Sequence, residues 1–470
     1  MFVVAAIAGS IAAWHYWQLD LTLSHYDARS HLVVARRTID SLTPSWRQLG
    51  AVWLPLPHVL NALPVQLDWN FRTGFSAIAI SIFAFSCGLA ALARYLTRHT
   101  ESLLAGVCVP LAALANPNVL YLQSTPLTEP LLFGLALMAL LLVDDWLISP
   151  RAHRAHRAGL CLAALVLTRY EGWLICAALV GLAYIARPDG RARIRLTAYP
   201  VAAVAAFFAL SYLSSGVLLV TSGFFTPDNP ARHDPGLVFD QIWKATQVVA
   251  GPVLIAGAMA GAGVALFRFR RSSRQSLLPL SLLASVVLPF GAFYAGHPER
   301  VRYMVPLVVA ATALSGVAFS IVPLRVRGLA AALWLGLAIF LRPPFSATAP
   351  MLTEAQWETP FREGRRIITR YLRTNYDGTP ILASMSSLAH YMQESSEIGV
   401  QIKNYVHEGN GDLWMDAFNA PHHHVRWVMV EEQAEGGDML AIRLRSQPDY
   451  LAGFTRVAEG GGLALYRRRP

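Results

Sequence analysis

Residues 2–31 read FVVAAIAGSIAAWHYWQLDLTLSHYDARSH, an apolar run that is followed directly by a polar segment. The apolar part, residues 2–19, has the length and composition of a membrane-spanning helix. The segment from Ser24 to His31 then places a carboxylate, a guanidinium and imidazoles where this span ends. Ionisable groups at that depth cost free energy and usually serve a function. We therefore interpret the segment as a polar loop that handles a polar substrate, and an ordinary solvated loop is the alternative.

The composition of the whole chain indicates a polytopic helical membrane protein. Of its 470 residues, 54% are hydrophobic and only 14% are charged, whereas soluble domains carry about 25% charged residues. Several apolar runs reach the roughly 20 residues that a helix needs to cross a bilayer, and we predict about eleven spans. The predicted spans are residues 2–19, 71–93, 102–121, 128–148, 158–169, 171–187, 197–222, 249–267, 276–295, 303–323 and 328–342.

Residues 51–67 are also apolar, but they contain Pro55, Pro57 and Pro64. Proline in a helix interior removes a backbone hydrogen bond and kinks or breaks the helix. Irregular backbone is not tolerated in contact with the lipid core. We therefore expect a re-entrant or interfacial segment here rather than a span.

The formal net charge of +10 is distributed in short basic clusters between the apolar runs. Such clusters indicate membrane topology rather than nucleic-acid binding. They are Arg94 with Arg98; Arg151, Arg154 and Arg157; Arg187, Arg191, Arg193 and Arg195; Arg268, Arg270, Arg271 and Arg274; and Arg325 with Arg327. If each cluster is cytoplasmic, the N-terminus is cytoplasmic, and the first polar segment and the C-terminal tail are extracytoplasmic. We predict an integral protein of a bacterial inner (cell) membrane.

The composition changes near residue 344, where charged residues and short alternating runs replace the long apolar stretches. Phe361 to Tyr371 has helical spacing of its apolar residues, and residues 381–384, 425–430 and 463–466 are typical of strands. We predict an all-α membrane domain over residues 1–343, with its first outer loop at 20–70, and a small extracytoplasmic α/β domain over 344–470. We expect His422–His424 in a strand or turn, where three adjacent imidazoles cannot converge on one metal ion.

Under this topology, four polar clusters meet at the extracytoplasmic face. They contain Tyr26, Asp27, His31, Trp53 and His58 in the first segment; Glu129 in QSTPLTEP (123–130); Arg169 and Glu171 in TRYEGW (168–173); and Arg300, Arg302 and Tyr303 in HPERVRY (297–303). Arginine recognises phosphate through paired donors, and a carboxylate accepts a proton from a hydroxyl. The combination favours a phosphorylated lipid donor and a hydroxyl or amine acceptor.

Three of the four clusters also have a purely structural interpretation. These are a helix cap at Thr128–Glu129, an ion pair between Arg169 and Glu171, and membrane anchoring by Arg300 and Arg302. Asp27 caps no predicted helix and lies among polar and aromatic residues. It is therefore the strongest candidate for a functional carboxylate.

Taken together, the segments resemble the GT-C class of integral-membrane glycosyltransferases, and within it the aminoarabinose and protein-mannosyl transferase-like families. The resemblance covers roughly residues 20–310 and rests on the Asp-bearing first segment, TEP (128–130), TRYEGW (168–173) and HPERVRYMVPL (297–307). It implies a transferase that takes a sugar from a polyprenyl-phosphate-linked donor on the outer face of the membrane. A first-loop Asp is the catalytic carboxylate of that class, which implies this role for Asp27. By position, Arg300 and Arg302 are implied to contact the donor phosphate.

The chain departs from the class in two respects. Ala28 follows Asp27 where the mannosyltransferases have a second acidic residue, and no Asp-x-Asp motif is present in the first segment. Both departures weaken a divalent-metal mechanism, so we predict no cofactor, and a divalent metal stays an open alternative that no motif supports. The residues predicted to bind substrate around Asp27 are Tyr26, His31, Trp53, His58, Glu129, Arg169, Glu171, Arg300, Arg302 and Tyr303.

We expect an inverting transfer in which Asp27 orients or deprotonates an acceptor whose identity stays open, while arginines stabilise the departing lipid phosphate. A polytopic transporter or flippase for a phosphorylated lipid or sugar is the alternative, although the spans show no obvious internal repeat. A non-catalytic assembly protein is a third possibility. Besides substrates, the expected partners are membrane lipids, and no nucleic acid is expected.

Overall fold

The computed structural model describes residues 1–186, 192–218, 229–270, 274–434 and 437–470. Arg187, Arg191 and Arg271 of the predicted topology clusters lie outside these ranges, as does the end of the span predicted at 197–222. Helices make up most of the chain before residue 343, and a mixed five-stranded sheet lies after it.

The membrane part is built from α-helices and short 3-10 segments. The α-helices are Phe2–Gln18 (α1), Tyr26–Arg36 (α2), Leu56–Asn61 (α3), Asp68–Thr73 (α4), Phe75–Thr100 (α5), Leu103–Ala115 (α6), Pro117–Leu122 (α7), Glu129–Ile148 (α8), Ala152–Val166 (α9), Glu171–Ala186 (α10), Ala192–Ser215 (α11), Pro235–Ala250 (α12), Pro252–Arg270 (α13), Val287–Tyr294 (α14), Val305–Ala318 (α15) and Leu324–Leu341 (α16). The 3-10 segments are Trp46–Leu49, Pro64–Gln66, Arg274–Val286, Val301–Met304 and Phe319–Ile321.

Within the described residues, seven helices are long and apolar enough to cross a membrane, and α6 and α10 are shorter apolar helices. The protein is therefore an integral membrane protein. Each predicted span corresponds to a helical segment, although the number of crossings remains a prediction. The span predicted at 102–121 is divided into α6 and α7, because the Asn116 side chain caps α7 by accepting from the amide of Asn118 at 3.0 Å.

Helices α5 and α8 cross with their backbones in contact. A Cβ atom at Gly134 would clash with the carbonyl oxygen of Ala84, and one at Gly88 would clash with the backbone of Gly134. Small residues at a crossing point allow membrane helices to approach this closely. The crossing fixes the N-terminus of α8, where Glu129 lies, relative to α5.

The interpretation of the Ser24–His31 segment as a loop is wrong, because the chain forms helix α2 there. The His25 side chain caps this helix by accepting from the amide of Asp27 at 3.1 Å, and every residue from Asp27 to Arg36 is buried. The charged residues suggested a polar loop, but they have buried partners that are distant in sequence. Asp27 therefore lies in the first turn of a helix, where a carboxylate complements the helix dipole.

The proline-containing stretch 51–67 forms only the short helix α3 and a 3-10 turn. It contains no helix long enough to span a membrane, as its sequence predicts. Leu63 and Leu67 are 75% and 66% exposed, which agrees with an interfacial position for this stretch.

The C-terminal part is an α/β unit, as predicted. Its helices are Pro350–Ala355 (α17), Thr359–Asn375 (α18), Met385–Glu394 (α19), Asp412–Asn419 (α20), Pro421–His424 (α21) and Met439–Ser446 (α22), and its strands are Ile381–Ala383 (β1), Tyr405–Val406 (β2), Trp427–Glu431 (β3), Phe454–Gly460 (β4) and Leu463–Arg468 (β5). The strand order is β2-β1-β3-β5-β4, with β1 parallel to β2 and β3 and the remaining pairs antiparallel. His422–His424, expected in a strand or turn, form a short helix.

One hydrophobic core joins helices α2 and α4 to the C-terminal part. Leu32 and Val33 of α2 and Phe71 of α4 pack in a single buried cluster with residues such as Leu388 of α19 and Leu465 of β5. Burial of such side chains contributes about 1.5–3 kcal/mol each. The segment that carries Asp27 is thus held between the membrane helices and the sheet.

Candidate active site

Asp27 forms a buried ion pair with Arg302, although 275 positions separate them in the chain. Asp27 is 6% exposed and Arg302 is 7% exposed. The Nε and Nη1 atoms of Arg302 are buried without a hydrogen-bond partner among the described residues. Because an unpaired buried donor is costly, this guanidinium is suited to receive oxygen atoms of a ligand.

The electrostatic environment keeps Asp27 ionised. Burial alone would raise its pKa, but the Arg302 guanidinium beside it, together with His25 and Arg169, holds the pKa below its usual value. Burial and the charge of Arg302 lower the pKa of His25 to about 3, so this capping imidazole is neutral near neutral pH. The site therefore presents a carboxylate at its centre rather than a carboxylic acid.

Arg169 holds two carboxylates together beside this pair. Its Nη1 atom lies 3.0 Å from Glu129, and its Nη2 atom lies 2.7 Å from Glu171. It also donates to the Thr128 hydroxyl at 3.1 Å. Thr128 therefore holds the N-cap position of α8 without capping it by its side chain, and the expected pair of Arg169 with Glu171 is part of a larger cluster. The two oxygen atoms of Glu129 are buried and accept no hydrogen bond from a described residue.

His31 and His58 form a hydrogen-bonded pair whose geometry fixes the tautomer of each ring. The Nδ1 atom of His58 is 3.1 Å from the carbonyl oxygen of Leu54, so it carries the proton and donates. The Nε2 atom of neutral His58 must then accept from Nδ1 of His31, at 3.0 Å. Since burial lowers the pKa of both rings, to about 3 for His58, Nε2 of His31 is left as an acceptor.

Aromatic rings surround these groups. Trp53 lies against His31 at 4.1 Å between ring centroids and stacks on His58 at 5.9 Å. His31 and His58 open into a cleft between α3, α5 and the N-terminus of α8. Its other lining residues are Leu32, Pro57, Asn61, Ala77, Ile80, Ser81, Pro126, Leu127, Thr128 and Leu131. The two imidazoles therefore face a small cleft with mostly apolar walls.

The remaining predicted residues, Tyr26, Arg300 and Tyr303, lie around the Asp27–Arg302 pair. Tyr303 lies under the Arg302 guanidinium at 5.1 Å, and Tyr26 lies 6.0 Å from Trp357. Arg300 is partly exposed and packs over Trp357 at 4.7 Å. Arg300 thus lies at the rim of the site, whereas Arg302 lies within it.

A second ion-pair network, which the sequence did not reveal, fixes α2 from the other side. Arg29, fully buried, pairs with Glu394 of α19 and lies 3.8 Å from Glu358. Arg365 of α18 contacts the same two carboxylates at 2.8 Å and 3.1 Å. Arg29 is two residues from Asp27, so this network determines how the candidate carboxylate is presented. The only signal in the sequence was the charge of Arg29 itself.

Two further residues were also missed, both near the start of the C-terminal part. Trp357 provides the ring on which Arg300 packs. Glu354 accepts from the amide of Val301 at 2.5 Å and so fixes the turn that presents Arg302. Neither residue belongs to a motif, and each acts through contacts that become visible only in the folded chain.

The comparisons with known proteins identify the fold. No family model matches the sequence, and no curated protein matches it significantly. Among solved structures, the chain is similar to ArnT from Cupriavidus metallidurans in the apo state, with a TM-score of 0.59 and 14% identity over 99% of this chain and 97% of ArnT. The form of ArnT bound to undecaprenyl phosphate gives a TM-score of 0.55 at 14% identity, over 98% of this chain and 97% of ArnT.

The chain is also similar to an oligosaccharyltransferase of Archaeoglobus fulgidus in complex with zinc and sulfate. The TM-score is 0.51 at 12% identity, over 91% of this chain and 67% of that protein. The similarity to ArnT extends over both the membrane helices and the C-terminal sheet. The fold is therefore that of the GT-C class of integral-membrane glycosyltransferases, as the sequence motifs predicted.

Proposed function

We propose that this protein is a membrane glycosyltransferase that moves a sugar from a polyprenyl-phosphate-linked donor to an acceptor. The observation that carries this proposal is the buried Asp27–Arg302 pair, in which Arg302 keeps two unused donors. A carboxylate and a guanidinium with free N–H groups are the two parts that a phosphate-displacing transfer needs.

The donor phosphate binds at Arg302 in this proposal. Its Nε and Nη1 donors match two phosphate oxygens, in the bidentate geometry that arginine offers. Arg169 is saturated by Glu129, Glu171 and Thr128, so it positions carboxylates rather than binding phosphate. Arg300, at the rim of the site, adds a second positive charge near the entering headgroup.

The sugar and the acceptor substrate bind to side-chain atoms that can accept hydrogen bonds. The oxygens of Glu129, which accept no hydrogen bond from a described residue, and the Nε2 atom of His31 can each receive a hydroxyl hydrogen. Trp53 offers an aromatic face next to His31, and Tyr26 and Tyr303 enclose the opposite side. His58 acts by fixing the tautomer of His31, and Glu171 acts by holding Arg169.

The transfer then follows from the two central groups. The acceptor oxygen or nitrogen forms a bond to the anomeric carbon while the bond from that carbon to the lipid phosphate breaks. Asp27 accepts the acceptor's proton, and the electron pair leaves with the phosphate, whose charge Arg302 stabilises. Attack opposite the leaving group inverts the anomeric configuration. No cofactor enters this step, since arginine supplies the positive charge.

Two solved structures support a lipid-phosphate donor, since ArnT binds undecaprenyl phosphate and the Archaeoglobus fulgidus oligosaccharyltransferase AglB has been solved with dolichol phosphate. AglB gives a TM-score of 0.50 at 12% identity, over 92% of this chain and 69% of AglB. We extend the proposal to a bacterial inner membrane, with the N-terminus in the cytoplasm and the C-terminal part outside. The basic clusters between the spans support this orientation.

The proposal is tested with purified protein in detergent, a panel of labelled polyprenyl-phosphate sugars and a panel of acceptors that includes water. We expect release of free polyprenyl phosphate from at least one donor, and the loss of this release in Asp27→Asn. Asp68→Asn is the matched control, because Asp68 lies in the same part of the chain but its side chain is 55% exposed. If no donor is consumed, or if Asp27→Asn retains full turnover, the proposed function is wrong.

The same preparation separates the enzyme from a transporter. A flippase moves a labelled lipid across a vesicle membrane without breaking the bond between sugar and phosphate. We expect cleavage of the bond between sugar and phosphate in detergent, where there is no bilayer across which a lipid could be moved. Movement of the lipid in vesicles with no cleavage in either medium would instead support the transporter.

A further inference from the structure

A second polar pocket lies at the other end of the α5–α8 pair from the candidate active site. It lies between three helices and is lined by Arg94 of α5, Leu142 and Asp145 of α8, and His153, Arg154 and Arg157 of α9. Glu129 and Asp145 are 16 positions apart on α8, which corresponds to roughly 24 Å along the helix axis. The pocket is therefore separate from the site around Asp27.

The positive charges of this pocket exceed the negative ones. Asp145 is already paired with Arg98 at 2.6 Å, and Arg98 also pairs with Asp144 at 2.7 Å. Arg94 reaches Asp145 only at 4.0 Å. Arg157 forms no ion pair with any residue that the structure describes. Like charges that converge without a counterion repel one another, so the pocket is arranged to receive an anion.

Two structural details hold this arrangement in place. Arg154 donates to the backbone carbonyl of Asp145 at 2.8 Å, which ties the start of α9 to the end of α8. Helix α9 begins at the pocket, and its N-cap residue Arg151 makes no capping hydrogen bond with its side chain. The positive end of the α9 dipole therefore adds to the guanidinium charges.

We propose that this pocket binds the phosphate of an anionic phospholipid headgroup. Guanidinium groups recognise phosphate, and basic pockets between membrane helices bind lipid headgroups. The pocket lies at the end of α5 and α8, which are long and apolar enough to cross a membrane. Exposed apolar side chains adjoin it, with Ile148 at the end of α8 47% exposed and Leu160 of α9 56% exposed. These side chains contact the acyl chains when the phosphate is bound.

Native mass spectrometry of the full chain, released from vesicles of phosphatidylcholine with a minor fraction of phosphatidylglycerol, tests the proposal. We expect the wild type to retain phosphatidylglycerol preferentially. Removal of one arginine should weaken this retention roughly fivefold, and removal of two roughly 25-fold. The variants are Arg157→Gln, which breaks no ion pair with a described residue, and the double variant Arg94→Gln with Arg157→Gln.

The matched control is the double variant Arg370→Gln with Arg373→Gln, which removes the same charge from the exposed face of α18. Its phosphatidylglycerol retention should equal that of the wild type. Equal loss in the control and in the pocket variants would show that net charge, rather than the pocket, determines retention. Displacement of the lipid by millimolar inorganic phosphate, or no loss in either pocket variant, would overturn the proposal.

Discussion

The substitution Glu394→Gln should release helix α2 from the C-terminal part. Glu394 accepts charge-assisted hydrogen bonds from Arg29 of α2 and from Arg365 of α18, and all three side chains are nearly or fully buried. Removal of one partner from a buried ion pair costs about 3–5 kcal/mol, because it leaves an uncompensated charge. We expect the lower end of that range, since Glu358 stays within 3.8 Å of Arg29 and 3.1 Å of Arg365.

The titration of Glu394 gives a similar magnitude. Burial alone would raise its pKa, but Arg29 and Arg365 lower it from 4.5 to about 2. At about 1.36 kcal/mol per pKa unit, the shift corresponds to roughly 3 kcal/mol. Because the folded-state pKa is the lower one, this contribution is complete above about pH 4.5 and is lost as the pH falls toward 2. Glu394→Gln should therefore weaken the ion pairs of this residue at neutral pH, as protonation of Glu394 weakens them in acid.

Hydrogen exchange measured by mass spectrometry on α2 is the appropriate assay. A loss of about 3 kcal/mol from the opening free energy accelerates exchange of the α2 amides roughly 100-fold, whereas α5 and α8 should be unaffected. Glycosyl transfer should fall as well, since Asp27 lies on α2. Glu397→Gln is the control, because Glu397 is exposed and close in the chain. If α2 in Glu394→Gln exchanges at the wild-type rate, the ion-pair network does not hold this helix.

Three other substitutions give distinct outcomes. Asp27→Asn should lower kcat by roughly 100- to 10,000-fold, the range for loss of a general base, with thermal stability measured in parallel to exclude unfolding. Arg302→Lys keeps the charge but loses the planar fork, so we expect kcat/KM to fall at least 100-fold in a donor-cleavage assay; a value within threefold of the wild type would contradict phosphate binding at this residue. Burial raises the pKa of Glu431 in β3 from 4.5 to about 7, so stability is lost as the pH rises from about 4.5 to about 7, because the unfolded chain ionises first. Glu431→Gln should therefore raise the melting temperature at about pH 8 much more than at about pH 4, and an equal effect at both values would refute this reasoning.

The sequence was sufficient to predict the seven helices of the described residues that are long and apolar enough to cross a membrane, because each is an apolar run of the required length. It did not predict α12, since Asp240 and Lys244 interrupt the apolar pattern of that helix. These two residues pair with each other at 2.7 Å on the exposed face of the helix. Strands β1, β3 and β5 were predicted because their residues alternate or are uniformly apolar. Strands β2 and β4 were not predicted, because β2 has only two residues and β4 contains charged residues. The strand order was not predicted either, because it depends on pairing between distant segments.

The candidate site was predicted in its residue types but not in its geometry. Charge and aromatic content singled out Asp27, Arg302 and Arg169, and the structure brings these three into electrostatic contact. Helix α2 was mistaken for a loop because a charged residue such as Arg29 usually indicates an exposed position. Its burial is explained only by the ion pair with Glu394. A pair separated by 365 positions leaves no local signal.

The core shared by α2 and β5 has a consequence for biosynthesis. The ribosome makes α2 well before β5, yet the surface on which Leu32 and Val33 pack is completed only when Leu463 and Leu465 have emerged. Asp27 therefore gains its full support only after the membrane helices between α2 and β5 have been made. In the proposed transfer, a premature stop that removes β5 should abolish turnover as completely as loss of Asp27 itself, although β5 contains none of the proposed site residues.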